Sequence, residues 1–352
     1  MFKLYNEKSI FCIKSRSTMH AMKTVIKILL AFLLIILVSC NRTSVRIVEK
    51  AEETREVSLH EIHLSQEMLM PAKMFMQGDN LVVYQCEGDT LFSIFSDPHS
   101  GHYTNIGIKG RGPNEFIQID ARSLLGTNEG FLCMDVGGVK KEVVIDGDKI
   151  SLLSSTMINT QRHPQNGIFV DNGYLSMNLI NEDAEFILYK YFDNEPEYLC
   201  AYPEWGDNNR DMKAFTYMKH ILKHPTENKV ASLYAKFRKI RILDIDEGNI
   251  MEVDVRIPNP FRRYKPDDKE NHIAYGSYPC IYNDNICALC FNGPFNDEIP
   301  PEIHVFDWEG NLKKRISLDK YINVFVIDTA NDILYGMNTN QANILYYHYF
   351  KD

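Results

Sequence analysis

Residues 303–311 read Ile303-His304-Val305-Phe306-Asp307-Trp308-Glu309-Gly310-Asn311, and residues 312–319 continue as Leu312-Lys313-Lys314-Arg315-Ile316-Ser317-Leu318-Asp319. An alternating strand runs into a turn of the form Asp-x-Glu-Gly-Asn, and a second apolar strand leaves it. Asp, Gly and Asn are the residues that turn a chain tightly between two strands, so the stretch predicts a β-hairpin.

The unit recurs. Short polar turns at residues 79–80, 128–130, 171–173, 227–228, 283–285 and 331–332 each introduce an apolar strand, at residues 81–84, 131–134, 174–177, 230–234, 286–290 and 333–336. A second strand follows each, at residues 90–95, 143–145, 186–192, 239–245, 302–306 and 344–350. A spacing of about 45–55 residues is too long for a solenoid coil and suits a four-stranded propeller blade. No long segment carries a period of 3.6, so helices should be few. The expectation is an all-β, six-bladed β-propeller with four-stranded antiparallel blades over residues 57–352, with seven blades as the alternative count. With six blades, the strand near residues 57–64 should join the strand at 344–350 and close the ring, hiding both edges. Residues 202–224 are the least strand-like part and read as a long loop with one helical turn.

The N-terminus reads as an address. Lys23 and Lys27 precede an unbroken apolar run, residues 28–38, and Leu37-Val38-Ser39-Cys40 leads into polar Asn41-Arg42-Thr43-Ser44. A basic start, a short apolar core and a small residue before the cleavage point make a secretory signal. The run is shorter than the roughly 20 apolar residues of a membrane-spanning helix. Met22 is the better start for a signal of normal length, which leaves residues 1–21 as an upstream extension. Leu-Val-Ser-Cys resembles the lipobox of bacterial lipoproteins. That resemblance implies that Cys40 carries a lipid, becomes the first mature residue and makes the membrane a partner. It further implies a place in the cell envelope, at the outer membrane and facing the periplasm. Asn41 does not resemble an inner-membrane retention signal, and no acidic cluster follows Cys40 as in some surface-export tags. Residues 40–56 then read as the lipidated cysteine and a polar tether outside the fold.

The chain of 352 residues carries 38 basic and 47 acidic side chains, a net charge of −9. Residues 1–39 hold Lys3, Lys8, Lys14, Arg16, Lys23 and Lys27 but only Glu7 among acids, so the remainder is more acidic still. Such a body is repelled by phosphate backbones, which argues against nucleic acid as a partner. Tyrosine and phenylalanine, at 19 each against two tryptophans, suit half-buried strands.

Gly107-Ile108-Lys109-Gly110-Arg111-Gly112-Pro113-Asn114-Glu115-Phe116 and the Val-Phe-Asp-x-x-Gly-Asn unit at residues 305–311 resemble the TolB-like six-bladed β-propeller lipoproteins. The resemblance covers essentially the whole mature chain and implies fold and location rather than chemistry. Where that family often has Gly before the Glu, this chain has Asn114; both residues accept positive φ.

Residues 109–116 form the best local candidate for a site. Gly110 and Gly112 permit unusual backbone angles and Pro113 stiffens the loop. Backbone N–H groups, with Lys109 and Arg111 beside them, suit a carboxylate or sugar acid. The competing reading is a corner between two blades, with Phe116 in the core and Glu115 paired to Arg111. Arg162-His163-Pro164-Gln165-Asn166 precedes the third blade and Tyr275-Gly276-Ser277-Tyr278-Pro279 the fifth. Loops leading into blades converge at one end of a ring, so Arg162, His163, Tyr275 and Tyr278 are candidates for the channel mouth, against the plainer reading of exposed loop residues.

Other constellations fail. Cys287 and Cys290 lie three apart on a strand, hence on opposite faces, and cannot share a tetrahedral zinc; with Cys280 they read as buried strand cysteines, with a disulfide open in an oxidising compartment. Residues 244–249 resemble a calcium loop, but Gly248 comes one place early and Val255 stands where Glu should be. His102, His163, His224, His272 and His304 form no metal-binding pair, and Ser277 lacks a nucleophile elbow. The reading is therefore a ligand- or protein-binding module without cofactor or metal, its partner an envelope protein or a glycan. Two alternatives stand: a propeller enzyme of the lactonase-like hydrolase or lyase type, whose residues converge from several blades, and a carbohydrate-binding lipoprotein linked to glycan uptake.

Overall fold

Strands covered on both faces read as continuous apolar runs, and the middle strands here do so: every residue of Gly173–Met177 and of Ile333–Met337 is buried. An outermost strand such as Lys149–Met157 alternates partly buried with exposed residues instead. The computed structural model describes residues 43–158, 164–179, 183–193, 195–205, 213–258, 272–294 and 297–350, all within one compact unit, residues 43–352. They form six sheets. The expected signal segment and Cys40 lie outside the described residues.

Blade I comprises Pro71–Gln77, Asn80–Gln85, Thr90–Phe95 and Thr104–Ile108, from the centre outward. Blade II comprises Ile119–Gly126, Gly130–Asp135, Val139–Asp146 and Lys149–Met157; blade III comprises Gly167–Val170, Gly173–Met177, Ala184–Lys190 and Glu197–Ala201. Blade IV is Lys219–Lys223, Lys229–Tyr234, Lys239–Asp244 and Ile250–Val255. In blade V the innermost position is shared by His272–Tyr275 and Cys280–Tyr282, followed by Asn285–Pro294, Glu302–Phe306 and Leu312–Leu318. Blade VI is Val324–Asp328, Ile333–Met337 and Ile344–Tyr349, completed by His60–His63. Innermost strands touch around the ring, blade VI against blade I and blade V against blade VI. Between each adjacent pair of blades lies one apolar cluster, such as Phe75, Phe92, Phe116 and Phe131 between blades I and II.

The expected closure is present: Leu345 lies opposite Ile62 and Ile344 opposite His63 in an antiparallel ladder. The tether reading is corrected from Thr43 onward. Thr43–Val48 pairs in parallel with Ile250–Val255 on the rim of blade IV, and Glu53–Val57 with Leu312–Leu318 on the rim of blade V. Val48 and Val57, each 7% exposed, plug into the inter-blade clusters and hold these edge strands down. The long-loop reading of residues 202–224 is also corrected: Lys213–Thr216 is a helical turn, but Lys219–Lys223 is the innermost strand of blade IV.

The turn at 307–311 forms as expected, the Asp307 carboxylate accepting from the backbone N–H groups of Glu309 (3.1 Å) and Asn311 (2.7 Å). Gly310 takes φ +77°, and a Cβ there would meet Val253 of blade IV at 2.6 Å. Glycine is needed both for the turn and for the approach of the neighbouring blade.

Candidate functional site

In an antiparallel blade, the start of the first strand and the end of the second share one edge; in blade II, Ile119 lies opposite Asp135. Residues from these positions therefore meet at one face of the ring. There a cavity of about 220 Å3 is lined by Tyr84 and Cys86 of blade I, Gln118, Asp120, Arg122 and Asp135 of blade II, Gln165 and Asn166 leading into blade III, and Tyr278 of blade V.

Asp120 and Arg122 are two apart on a strand and so lie on the same face. The Asp120 carboxylate is fully engaged: it accepts from the Arg122 N–H (3.1 Å), the Gly167 N–H (3.0 Å) and the Tyr174 hydroxyl (2.8 Å). Arg122 donates from Nη1 to Asn166 Oδ1 (3.2 Å), and its buried Nε has no partner among the described residues. Asn166 reaches this position with φ +57°, a left-handed angle that asparagine tolerates.

Beside the cavity the Lys73 ammonium donates to the carbonyl oxygens of Arg122 (3.0 Å) and Leu124 (2.8 Å) and stands 5.2 Å from the centre of the Tyr278 ring. Burial pulls its pKa down to about 7, with Asp120 opposing and Arg122 assisting. His220, on the innermost strand of blade IV, meets the same tyrosine ring edge-on at 4.8 Å. Burial, then Arg122 and Lys73, lower its pKa to about 3, so it is a neutral imidazole at pH 7. Its Nδ1 is buried without a partner among the described residues. Burial raises the Tyr278 hydroxyl, which stays protonated. Asp135 on the cavity wall is the counter-case: burial disfavours its carboxylate, but Lys141 at 2.7 Å and the N–H groups of Gln118, Ile117 and Val136 outweigh that and lower its pKa. The site therefore presents the Arg122 guanidinium together with the carboxylates of Asp120 and Asp135, with neutral amide groups and aromatic surface, gathered from five blades once Lys73 and His220 are included.

The sequence candidates fall differently. Tyr278 is at the cavity, as are Gln165 and Asn166. Tyr275 is not: it is fully buried, its hydroxyl 3.1 Å from His304 Nδ1. Arg162 and His163 lie outside the described residues. Lys109, Arg111 and Glu115 sit on the corner between blades I and II and are not among the residues that line the cavity. There the Gly110 N–H donates to the Phe116 carbonyl (2.9 Å) and the Gly112 N–H to Glu115 Oε2 (2.6 Å), so both are spent within the corner. Glu115 thus braces its own loop, and Phe116, 1% exposed, is in the core.

Lys73, Asp120, Arg122 and His220 were not singled out in the sequence. One signal was there to read: opposite charges at 120 and 122, two apart on a strand leading into a blade. Among the described residues, no group of three or more His, Cys, Asp or Glu side chains is placed to hold a metal ion.

Six blades closed by an N-terminal strand, with a polar cavity at the mouth of the channel, define the class of protein. The profile of the TolB-like 6-blade propeller-like family matches residues 48–330, and the chain belongs to that family. Among solved structures, a member of the DUF4221 family from Bacteroides vulgatus is 11% identical, with a TM-score of 0.53 over 82% of this chain and 95% of that one. A presumed exported protein from Bacteroides fragilis is 13% identical, with a TM-score of 0.49 over 88% of this chain and 100% of that one. The likeness to the Bacteroides vulgatus protein is one of fold. None of the curated proteins matches the sequence.

Proposed function

We propose that this protein is a binding module of the cell envelope, held to the membrane by a lipid on Cys40, and that its channel-mouth cavity takes a small polar ligand of the sugar or sugar-acid class. The observation that carries the ligand reading is the convergence of Arg122, Asn166 and Tyr278 from three different blades on one cavity. A guanidinium and amide groups orient hydroxyl or carboxylate oxygens, and a tyrosine face receives the ring of a sugar. At about 220 Å3 the cavity is smaller than the roughly 300–1,000 Å3 of pockets for drug-sized ligands, which fits a single sugar ring. The location rests on the lipobox-like Leu37-Val38-Ser39-Cys40 behind a basic start and an apolar run.

Calorimetric titration of residues 41–352 against monosaccharides and uronic acids tests the ligand. Binding that is lost in both Arg122→Ala and Tyr278→Ala supports the reading; a ligand bound equally well by both variants places the site elsewhere. The anchor is tested separately, by incorporation of a labelled fatty acid that Cys40→Ala abolishes.

A further inference from the structure

The innermost edge of blade V ends in a tight hairpin whose turn residues, Asn283 and Asp284, have φ +48° and +59°. Two successive left-handed residues make a two-residue turn that fixes the register on either side. Tyr282 lies opposite Asn285, Ile281 opposite Ile286, and Cys280 opposite Cys287. Directly opposed side chains leave the sheet on the same face, so the two thiols face one another. Counting back from the turn, 280–287 is a hydrogen-bonded position, where Cα atoms lie about 5.5 Å apart. A disulfide spans Cα separations of about 4.4–6.8 Å. Cys290 is three residues beyond Cys287, on the other face beside His304, and cannot compete. Cys280 is half-buried and Cys287 buried, so one thiol of the pair is open to a reagent.

We propose that Cys280 and Cys287 are joined by a disulfide in the mature protein, an inference that rests on the envelope location proposed above for its oxidising surroundings. The co-reactant is a disulfide of a thiol–disulfide exchange protein or small thiol. The Cys280 thiolate attacks one donor sulfur, forming a mixed disulfide and releasing the first donor thiol. The Cys287 thiolate then attacks Cys280 Sγ, closing the Cys280–Cys287 bond and releasing the second. Two electrons pass to the donor, and the two cysteine protons leave with its two thiols. The bond ties the hairpin two residues beyond Tyr278 and so braces that wall of the cavity.

The test has two arms. Residues 41–352, which retain all six blades, are equilibrated with oxidised glutathione, denatured, alkylated without reductant and mapped by peptide mass. The expected product is one peptide pair, 280 linked to 287, lighter by two hydrogen atoms, formed equally in Cys290→Ala and absent in Cys280→Ser. The full chain is then recovered from cells with its thiols trapped in acid and mapped likewise, with the same linkage expected. Free, alkylated Cys280 and Cys287 in the first arm overturn the geometric inference whatever the location. A bond that forms with glutathione but is missing from the cellular protein overturns the disulfide of the mature protein and counts against the envelope reading, leaving the ligand site untouched.

Discussion

Glu185 of blade III and Lys219 of blade IV form an ion pair of 2.8 Å although neither side chain is more than 3% exposed. Arg241 joins the same carboxylate, and the Tyr234 hydroxyl donates to it at 2.5 Å. The Lys219 ammonium also stands 4.8 Å from the centre of the Phe186 ring and 5.5 Å from that of Tyr202. Burial works against the Glu185 carboxylate, but two cations outweigh it and lower its pKa. Removing one member of such a group leaves buried charge uncompensated, at a cost of about 3–5 kcal/mol. Glu185→Ala should therefore lower unfolding free energy by about that amount in denaturant titration. Because the folded pKa lies below the unfolded one, the stabilisation is present above about pH 4.5 and lost as pH falls through the folded value.

His220 acts with the same direction at a different pH. A folded pKa lowered from 6.5 to about 3 means the unfolded chain binds the proton first, so stability falls as pH drops below 6.5 and levels off near 3. The slope contributed is at most about 1.4 kcal/mol per pH unit, less to the extent that channel water reaches the ring. His220→Gln should flatten the stability curve between pH 6 and 4 relative to wild type, as measured by urea unfolding at each pH. Parallel curves would show that His220 is not protonated on unfolding in that range.

At the cavity, Arg122→Ala should weaken binding of a uronic acid about 10–100-fold while leaving the far-ultraviolet circular dichroism unchanged, since a hydrogen bond to a charged group contributes about 1.5–3 kcal/mol. Tyr278→Phe, which keeps the ring, should bind a neutral sugar nearly as well as wild type, whereas Tyr278→Ala should not. Calorimetry on the three variants separates charge recognition from stacking.

Truncation separates the rim from the ring closure. A chain beginning at residue 58 loses the strands on blades IV and V, with buried Val48 and Val57, and should remain a folded monomer that is less stable by a few kcal/mol. A chain beginning at residue 65 also loses His60–His63 and uncovers the edge of Ile344–Tyr349. An open apolar edge recruits other chains, so this form should aggregate in light scattering.

The blades were legible because their middle strands are apolar on both faces and their turns use Asn, Asp and Gly at left-handed positions, as at Asn283, Asp284 and Asp332. The rim strands were not, for a physical reason. Thr43–Val48 is short and exposed at most positions, with its alternating Val45 and Ile47 turned to solvent and only Val48 in the core, so its pattern did not stand out from a tether. Lys219–Lys223 was hidden by its polar residues: Lys219 is spent on the buried Glu185, His220 is a buried neutral imidazole, and Lys223 pairs with Asp171. The cavity was legible only in part. Tyr275 and Tyr278 look equivalent in sequence, but an odd spacing turns one into the core and the other to the channel. Lys73, Arg122 and His220 meet only because three blades bring them together, and no local spacing records that.

The N-terminal segment visits blades IV, V and VI in that order, and this order sets how the molecule bears load. A pull on its N-terminal end reaches Thr43–Val48 first, Glu53–Val57 next and the ring-closing His60–His63 last. The two rim strands thus act as sacrificial fastenings, each releasing slack before the seam of the ring is strained.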